Sequence, residues 1–149
     1  NELAVGAGEL TLASTNPHDQ PNLNYRYLEE AWDRERLREG VRICLKLLEN
    51  ESYQSFVEHC ITPTDKDLES DDTLDQWLLE NVTTTQHISG TCKMGLKSDP
   101  MSVVDQYCHV HGLDGIRVVD VSVLPDCVRA NTNATTIMIA ERVADWMKQ

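Results

Sequence analysis

Apolar residues change their period several times along this chain, and each change marks an element. In "GELTLAS" (8–14) Leu10 and Leu12 alternate with Glu9, Thr11 and Ala13, the two-residue period of a half-buried strand. "TNPHDQPNLN" follows, so rich in turn formers that a loop is predicted. From Tyr27 to Leu48 the period lengthens: Leu37, Val41, Cys44 and Leu48 recur at helical spacing, with Asp33 placed as a cap after a short turn. A second helix is predicted over "TLDQWLLENV", where Leu74, Trp77 and Leu78 form one face and Asp71 and Asp72 sit at the positive end of the helix dipole. "MSVVDQYCHVHGLDGIRVVDVSVLP" (101–125) is rich in β-branched residues and punctuated by "GLDG", which reads as two short strands joined by a turn and ended by Pro125. The final "NATTIMIAERVADWMKQ" is apolar at Ile137, Ile139, Ala140, Val143, Ala144 and Met147 and opens on Asn and Thr residues suited to capping, so the chain closes on a helix. The pattern predicts an α+β fold, an antiparallel sheet packed with helices, and 149 residues suffice for one domain with one core.

Composition narrows what such a fold can do. Lys and Arg number 13 against 25 Asp and Glu, a formal net charge of −12 that repels a phosphate backbone and an anionic membrane surface alike. Nucleic acid is therefore set aside. Apolar runs such as "TTIMIA" fall far short of the roughly 20 residues that span a bilayer, so no transmembrane segment is expected. Cys44, Cys60, Cys92, Cys108 and Cys127 are scattered, odd in number and without C-x-x-C spacing, the pattern of reduced thiols in a cytoplasmic protein. The text opens on "NELAVGAGELTLAS" with no initiating methionine, as a fragment of a longer protein would.

Candidate chemistry concentrates in "TTTQHISGTCKMG" (83–95). His87 lies in a loop beside Gly90, whose freedom allows a sharp turn or a close backbone approach. A neutral imidazole titrates near working pH, which makes it the commonest general base and fits it to accept a proton from an alcohol. Cys92 invites a thiol-nucleophile reading, but no second histidine or helix start is placed to lower its pKa. In "CHVHG" (108–112), His109 and His111 would share one strand face while Cys108 points away, a structural pair rather than a metal site. The acidic "TPTDKDLESDD" lacks the ligand order and central glycine of an EF-hand and reads as a solvated loop. "RANTNATT" carries Asn131 and Asn133 before the last helix; capping accounts for one asparagine more easily than for two.

"HISGTCKMG", "VVDQYCHVHGLDGIRVVDVSVLP" and "ANTNATTIMIAERVADWMK", in that order and spacing, resemble the C-terminal part of the glucose-methanol-choline (GMC) flavoprotein oxidoreductases, choline dehydrogenases and alcohol oxidases among them. "GELTLASTNPHDQPNLNYRYLEEAWDRERLREGVR" is similar to the start of the same region, so the likeness covers nearly all of residues 1–149 as one C-terminal domain. The resemblance implies an FAD-dependent enzyme oxidising a small-molecule alcohol: hydride passes from the carbinol carbon to flavin while a histidine, matched by His87, takes the hydroxyl proton. Asn131 matches the residue that hydrogen-bonds the substrate oxygen as charge develops. Asp120, Thr132 and Asn133 fall where the family meets FAD, with the last helix turning its N-terminal end toward the cofactor.

Three positions depart from the family pattern: Gln86 stands where an aromatic residue often precedes the histidine, and Ile88 and Thr135 each replace a common proline. None removes a proton-transfer group, but Gln86 and Ile88 alter pocket polarity and loop stiffness. The G-x-G-x-x-G turn that holds the ADP part of FAD has no counterpart here, so an N-terminal FAD-binding segment of the same enzyme is the expected partner. The competing reading is a non-catalytic module whose acidic face binds a protein, with His87 merely satisfying a core carbonyl; a zinc hydrolase built on "CHVHG" stands third.

Overall fold

The computed structural model describes residues 4–149. It contains a two-stranded antiparallel sheet, three α-helices and one 3₁₀ turn, so the α+β reading holds. Contacts divide the chain into two compact units that meet in sequence at Thr83 and Thr84.

In the first unit β1 (Glu9–Thr11) pairs with β2 (Asn22–Asn24) in the register Leu10 opposite Leu23. β2 falls inside the segment predicted as loop. Its Asn-Leu-Asn carries little β-propensity of its own, and pairing with β1 decides it. The expected half-burial of β1 is also corrected: every residue of both strands is exposed, Leu10 and Leu23 by about half.

Helix α1 (Ala31–Leu48) and helix α2 (Asp71–Asn81) supply the first core. Leu74 and Leu78 of α2 and Leu28 are buried, with Leu37, Val41, Leu68, Trp77 and Val82 packed around them. This is the face predicted for α2, and it excludes water from three large side chains at roughly 1.5–3 kcal/mol each. Asp33 does not cap α1 as expected. Glu30 holds the N-cap position, and Asp33 lies one turn in, buried, where its carboxylate accepts from the backbone N–H of Val5 (3.0 Å) and of Gly6 (2.9 Å). Cys44 is exposed, although it lines the same groove as Leu37, Val41 and Leu48. α2 begins with a capping box in which the Ser70 hydroxyl accepts from Thr73 N–H (3.1 Å) and Thr73 Oγ1 accepts from Ser70 N–H (3.0 Å). Across the helix pair Arg38 Nη1 donates to Asp75 at 2.7 and 2.8 Å, which raises the guanidinium pKa, and Arg42 holds Asp71 below its usual range through their hydrogen bond.

The second unit is built differently. Val104, Cys108, Val123 and Val143 are buried together, with Met94, Val103, Val110, Ile139 and Trp146 among the side chains packed on them. The two strands predicted over 101–125 appear as isolated bridges, Val104 to Val110 and His109 to Arg117, beside a bridge from Met94 to Val104. The turn at 112–115 is where "GLDG" placed it, and Gly112 and Gly115 both take positive φ there. Full ladders are interrupted because Cys108 adopts a left-handed conformation (φ 65°) and because Asp105 draws the chain into a turn. The Asp105 carboxylate accepts from the N–H groups of Tyr107 (2.8 Å) and His109 (2.9 Å) and meets His109 Nδ1 at 3.2 Å. A 3₁₀ turn, η1 (Val121–Val123), and helix α3 (Asn133–Met147) complete the unit. α3 buries Val143 and rests partly on Ile139 and Trp146, while Ile137 and Met147, expected on its packed face, are more than half exposed.

Asp105 carries a pH prediction. Burial pushes its pKa up, but the N–H groups of His109 and Tyr107, with the His109 side chain, outweigh that and hold it below the usual carboxylate value. A carboxyl depressed in the folded state contributes its stability above the unfolded pKa of about 3.9, and the contribution is lost as pH falls through the folded value. Asp105→Asn should therefore flatten the decline in urea midpoint between roughly pH 5 and 3 relative to the unchanged protein. Parallel declines in the two proteins would remove Asp105 from the acid limb.

Candidate functional site

His87 lies in the loop 84–91 at the start of the second unit, and the backbone around it is unusual. Gln86 takes φ 64° and Gly90 φ 83°, so the chain turns sharply on both sides of the histidine. For Gln86 this left-handed conformation costs on the order of 1 kcal/mol or more. It is supported locally by Thr84 Oγ1, which accepts from Gln86 N–H at 2.9 Å. A side chain on Gly90 would bring its Cβ to 3.4 Å from the Leu124 carbonyl oxygen, besides requiring the same unfavourable φ.

The loop is fastened to the segment that leads into α3. Cys92 N–H donates to the Ser122 carbonyl (3.0 Å) and Met94 N–H to that of Val123 (2.9 Å), while the Cys127 thiol lies 3.6 Å from the His87 carbonyl oxygen as its donor. His87 is thus brought onto the same unit as the stretch 120–133, where the other predicted site residues stand. Among the hydrogen bonds of the described residues none joins His87 to Asn131 directly.

The His87 ring is half-buried. Its Nδ1 is shut off from solvent and, among the described residues, has no hydrogen-bond partner. The two other histidines of this unit differ: His109 Nδ1 faces Asp105, and His111 Nε2 lies 3.2 Å from the Gly95 carbonyl and 3.1 Å from Ser102 Oγ. His109 and His111 are held by separate partners, and Cys108 is buried, its thiol pKa pushed up by that burial. Among the described residues no group of three or more His, Cys, Asp or Glu side chains gathers as a metal ion would require.

Asn131 is exposed just ahead of α3, and its Oδ1 accepts from Asn133 N–H at 2.9 Å. With the carbonyl oxygen of the carboxamide so engaged, Nδ2 is the atom left to face outward, and it can only donate. Thr132 is buried at the N-cap position without a side-chain cap, and its carbonyl accepts from both N–H and Oγ1 of Thr136. In place of the capping expected of "NATT", Asn131, one residue before the N-cap, supplies the side-chain acceptor at this helix start, and Asn133 is the first residue of the helix proper. Beyond it, among the described residues, the N–H groups of Ala134 and Thr135 donate to no backbone carbonyl, the orphan donors of a helix start, which favour an electron-rich ligand. Asp120 Oδ1 accepts from Ser122 N–H (2.8 Å) and caps η1.

Residues that the sequence pattern did not single out are Cys127, Ser122 and Leu124, whose thiol or carbonyl groups hold or crowd the His87 loop. Two of them act through backbone carbonyls, which carry no side-chain signal.

The family model described as "GMC oxidoreductase" matches residues 4–140. The chain is 40% identical, over 138 residues, to the oxygen-dependent choline dehydrogenase of Vibrio vulnificus (strain YJ016), covering 93% of this chain and 24% of that protein. Among solved structures, pyridoxine 4-oxidase from Mesorbium loti superimposes with a TM-score of 0.83 at 27% identity, over 93% of this chain and 26% of that one. An FAD-dependent oxidoreductase from Chaetomium thermophilum gives 0.84 at 27% identity, over 95% and 24%. The chain spans about a quarter of the length of the curated relatives it matches.

Proposed function

Because this chain belongs to the GMC oxidoreductase family, we propose that it is the substrate-side, catalytic part of an FAD-dependent oxidoreductase acting on CH–OH groups, with His87 taking the hydroxyl proton as hydride leaves the same carbon. The observation that carries this reading is the state of the His87 ring. A core histidine that merely satisfies a carbonyl would hydrogen-bond it, as His111 does with Gly95. Nδ1 of His87 is buried and has no such partner among the described residues, which favours the enzyme over a non-catalytic acidic module.

The roles follow from what each group can donate or accept. The imidazole of His87 accepts the hydroxyl proton through a free nitrogen lone pair. Asn131, its Oδ1 engaged by Asn133 N–H, offers Nδ2 to the substrate oxygen as negative charge builds there. FAD, when bound, supplies the two-electron acceptor. Ala134 and Thr135 N–H, with Thr132 and Asn133 at the positive end of α3, would hold its electron-rich edge, and Asp120 would border the same face. Gln86 and Ile88 flank the base and would tune the pocket for a small polar alcohol. The name of the Vibrio relative makes choline the first alcohol to test.

An N-terminal FAD-binding segment of the same enzyme is the proposed partner. Its docking would cover apolar groups that this chain leaves bare, such as Leu10, Leu12 and Leu23 on a hairpin exposed on both faces, an arrangement marginal in water by itself. The five free cysteines suit the reducing cytoplasm.

The test is to express this chain in frame with its FAD-binding segment. The product should be yellow and reduce a dye in the presence of choline or another small primary alcohol. A colourless protein, or a yellow one inert toward a panel of alcohols, would overturn the assignment.

A further inference from the structure

We propose that Cys127 is a positioning residue for His87, holding the base in place by donating its thiol hydrogen to the His87 backbone carbonyl. The inference rests on the reading of His87 as the proton acceptor. Among the described residues, the hydrogen bonds made by 87–91 are two, and both end on that carbonyl: Ser89 Oγ at 3.1 Å and Cys127 Sγ at 3.6 Å. The first is local and moves with the loop. The second spans 40 residues and is the one that fixes the loop to something else.

The anchors on either side cannot substitute for it. Upstream, Gln86 bonds only to Thr84, within the same loop. Downstream, the first firm attachment is Cys92 N–H on Ser122, five residues past the histidine, with Gly90, at φ 83°, in between. A hinge at Gly90 and a left-handed Gln86 leave His87 free to swing unless its own peptide is held. Cys127 is suited to this because its segment is itself secured: η1, a few residues earlier, is paired with the chain at 92–94. The thiol also lies 3.5 Å from the Val128 carbonyl, so its single hydrogen is shared between that oxygen and the His87 carbonyl.

Displacing a base by about 1 Å can cost up to a hundredfold in rate, and a thiol is a weak donor. In the full-length holoenzyme Cys127→Ala should lower kcat by about tenfold while KM changes by less than about threefold, with the acid limb of the pH profile retained because the base is still present. Cys127→Ser, which keeps a donor, should recover most of the rate. Cys127→Val preserves packing without a donor and should behave like alanine, so a folding defect in one variant does not decide the matter.

An activity-independent readout is the ring signal of His87 in the ¹³C-histidine-labelled holoenzyme, assigned by its disappearance in His87→Gln. It should shift or broaden in the alanine and valine variants and return in the serine variant. Wild-type kcat and an unmoved ring signal in Cys127→Val would overturn the positioning role. A fully active His87→Gln would instead overturn the identity of the base, whatever the Cys127 variants do to the ring.

Discussion

Replacing His87 by glutamine should lower kcat of the full-length holoenzyme by about a hundredfold to ten-thousandfold, the range that a positioned general base contributes. This corresponds to about 3 to 5 kcal/mol of barrier. Glutamine keeps a polar side chain of similar reach and leaves the main-chain carbonyl that Cys127 holds untouched. What it removes is a lone pair basic enough to take a proton at neutral pH. The loss should therefore appear in kcat and kcat/KM together, with binding little altered. The acid limb of the kcat/KM profile, where a histidine base is silenced by protonation, should disappear. His109 and His111 are poorly placed to take over, since Asp105 engages the first and Gly95 and Ser102 engage the second. Activity within tenfold of the unchanged enzyme, with the acid limb intact, would move the proton acceptor elsewhere.

Helices were the most legible part of this fold in its sequence. Leu74 and Leu78 recur at helical spacing behind two acidic residues, and α2 forms there with both leucines buried. Strands were less so, because pairing depends on a partner that local pattern does not contain. Asn22–Asn24 forms β2 only because Glu9–Thr11 lies alongside, and the β-branched run over 101–125 becomes bridges because Asp105 and the left-handed Cys108 redirect the backbone. Asp33 shows a related limit. A carboxylate near a helix start reads as a cap, yet its partners are the N–H groups of Val5 and Gly6, some 27 residues away. In the candidate site, His87 and Asn131 stand out as residue types in a recognisable order. The tether of His87 through Cys127 could not be read, since a lone cysteine two residues after a proline looks like any other.

Asn131 allows cap and catalysis to be separated. Its Oδ1 serves α3 by accepting from Asn133 N–H, and its Nδ2 is the group proposed to meet the substrate oxygen. Alanine would remove both, mixing a helix-capping loss of about 1 kcal/mol with any loss of rate. Aspartate discriminates between them. A carboxylate accepts from Asn133 N–H as well as the amide does, and its charge interacts favourably with the positive end of the helix. Thermal stability of Asn131→Asp should accordingly match or slightly exceed that of the unchanged protein. The same substitution removes the donor and places negative charge where the substrate oxygen becomes more negative. Loss of one such donor typically costs a hundredfold to a thousandfold in kcat, and the added repulsion pushes in the same direction, so kcat should fall by at least about a hundredfold. Asn131→Ser, which keeps a capping oxygen and offers a neutral hydroxyl donor, should lie between the two in rate at nearly unchanged stability. If Asn131→Asp keeps both stability and rate, the carboxamide is a helix cap and nothing more, and the oxygen of the substrate must be met by another donor.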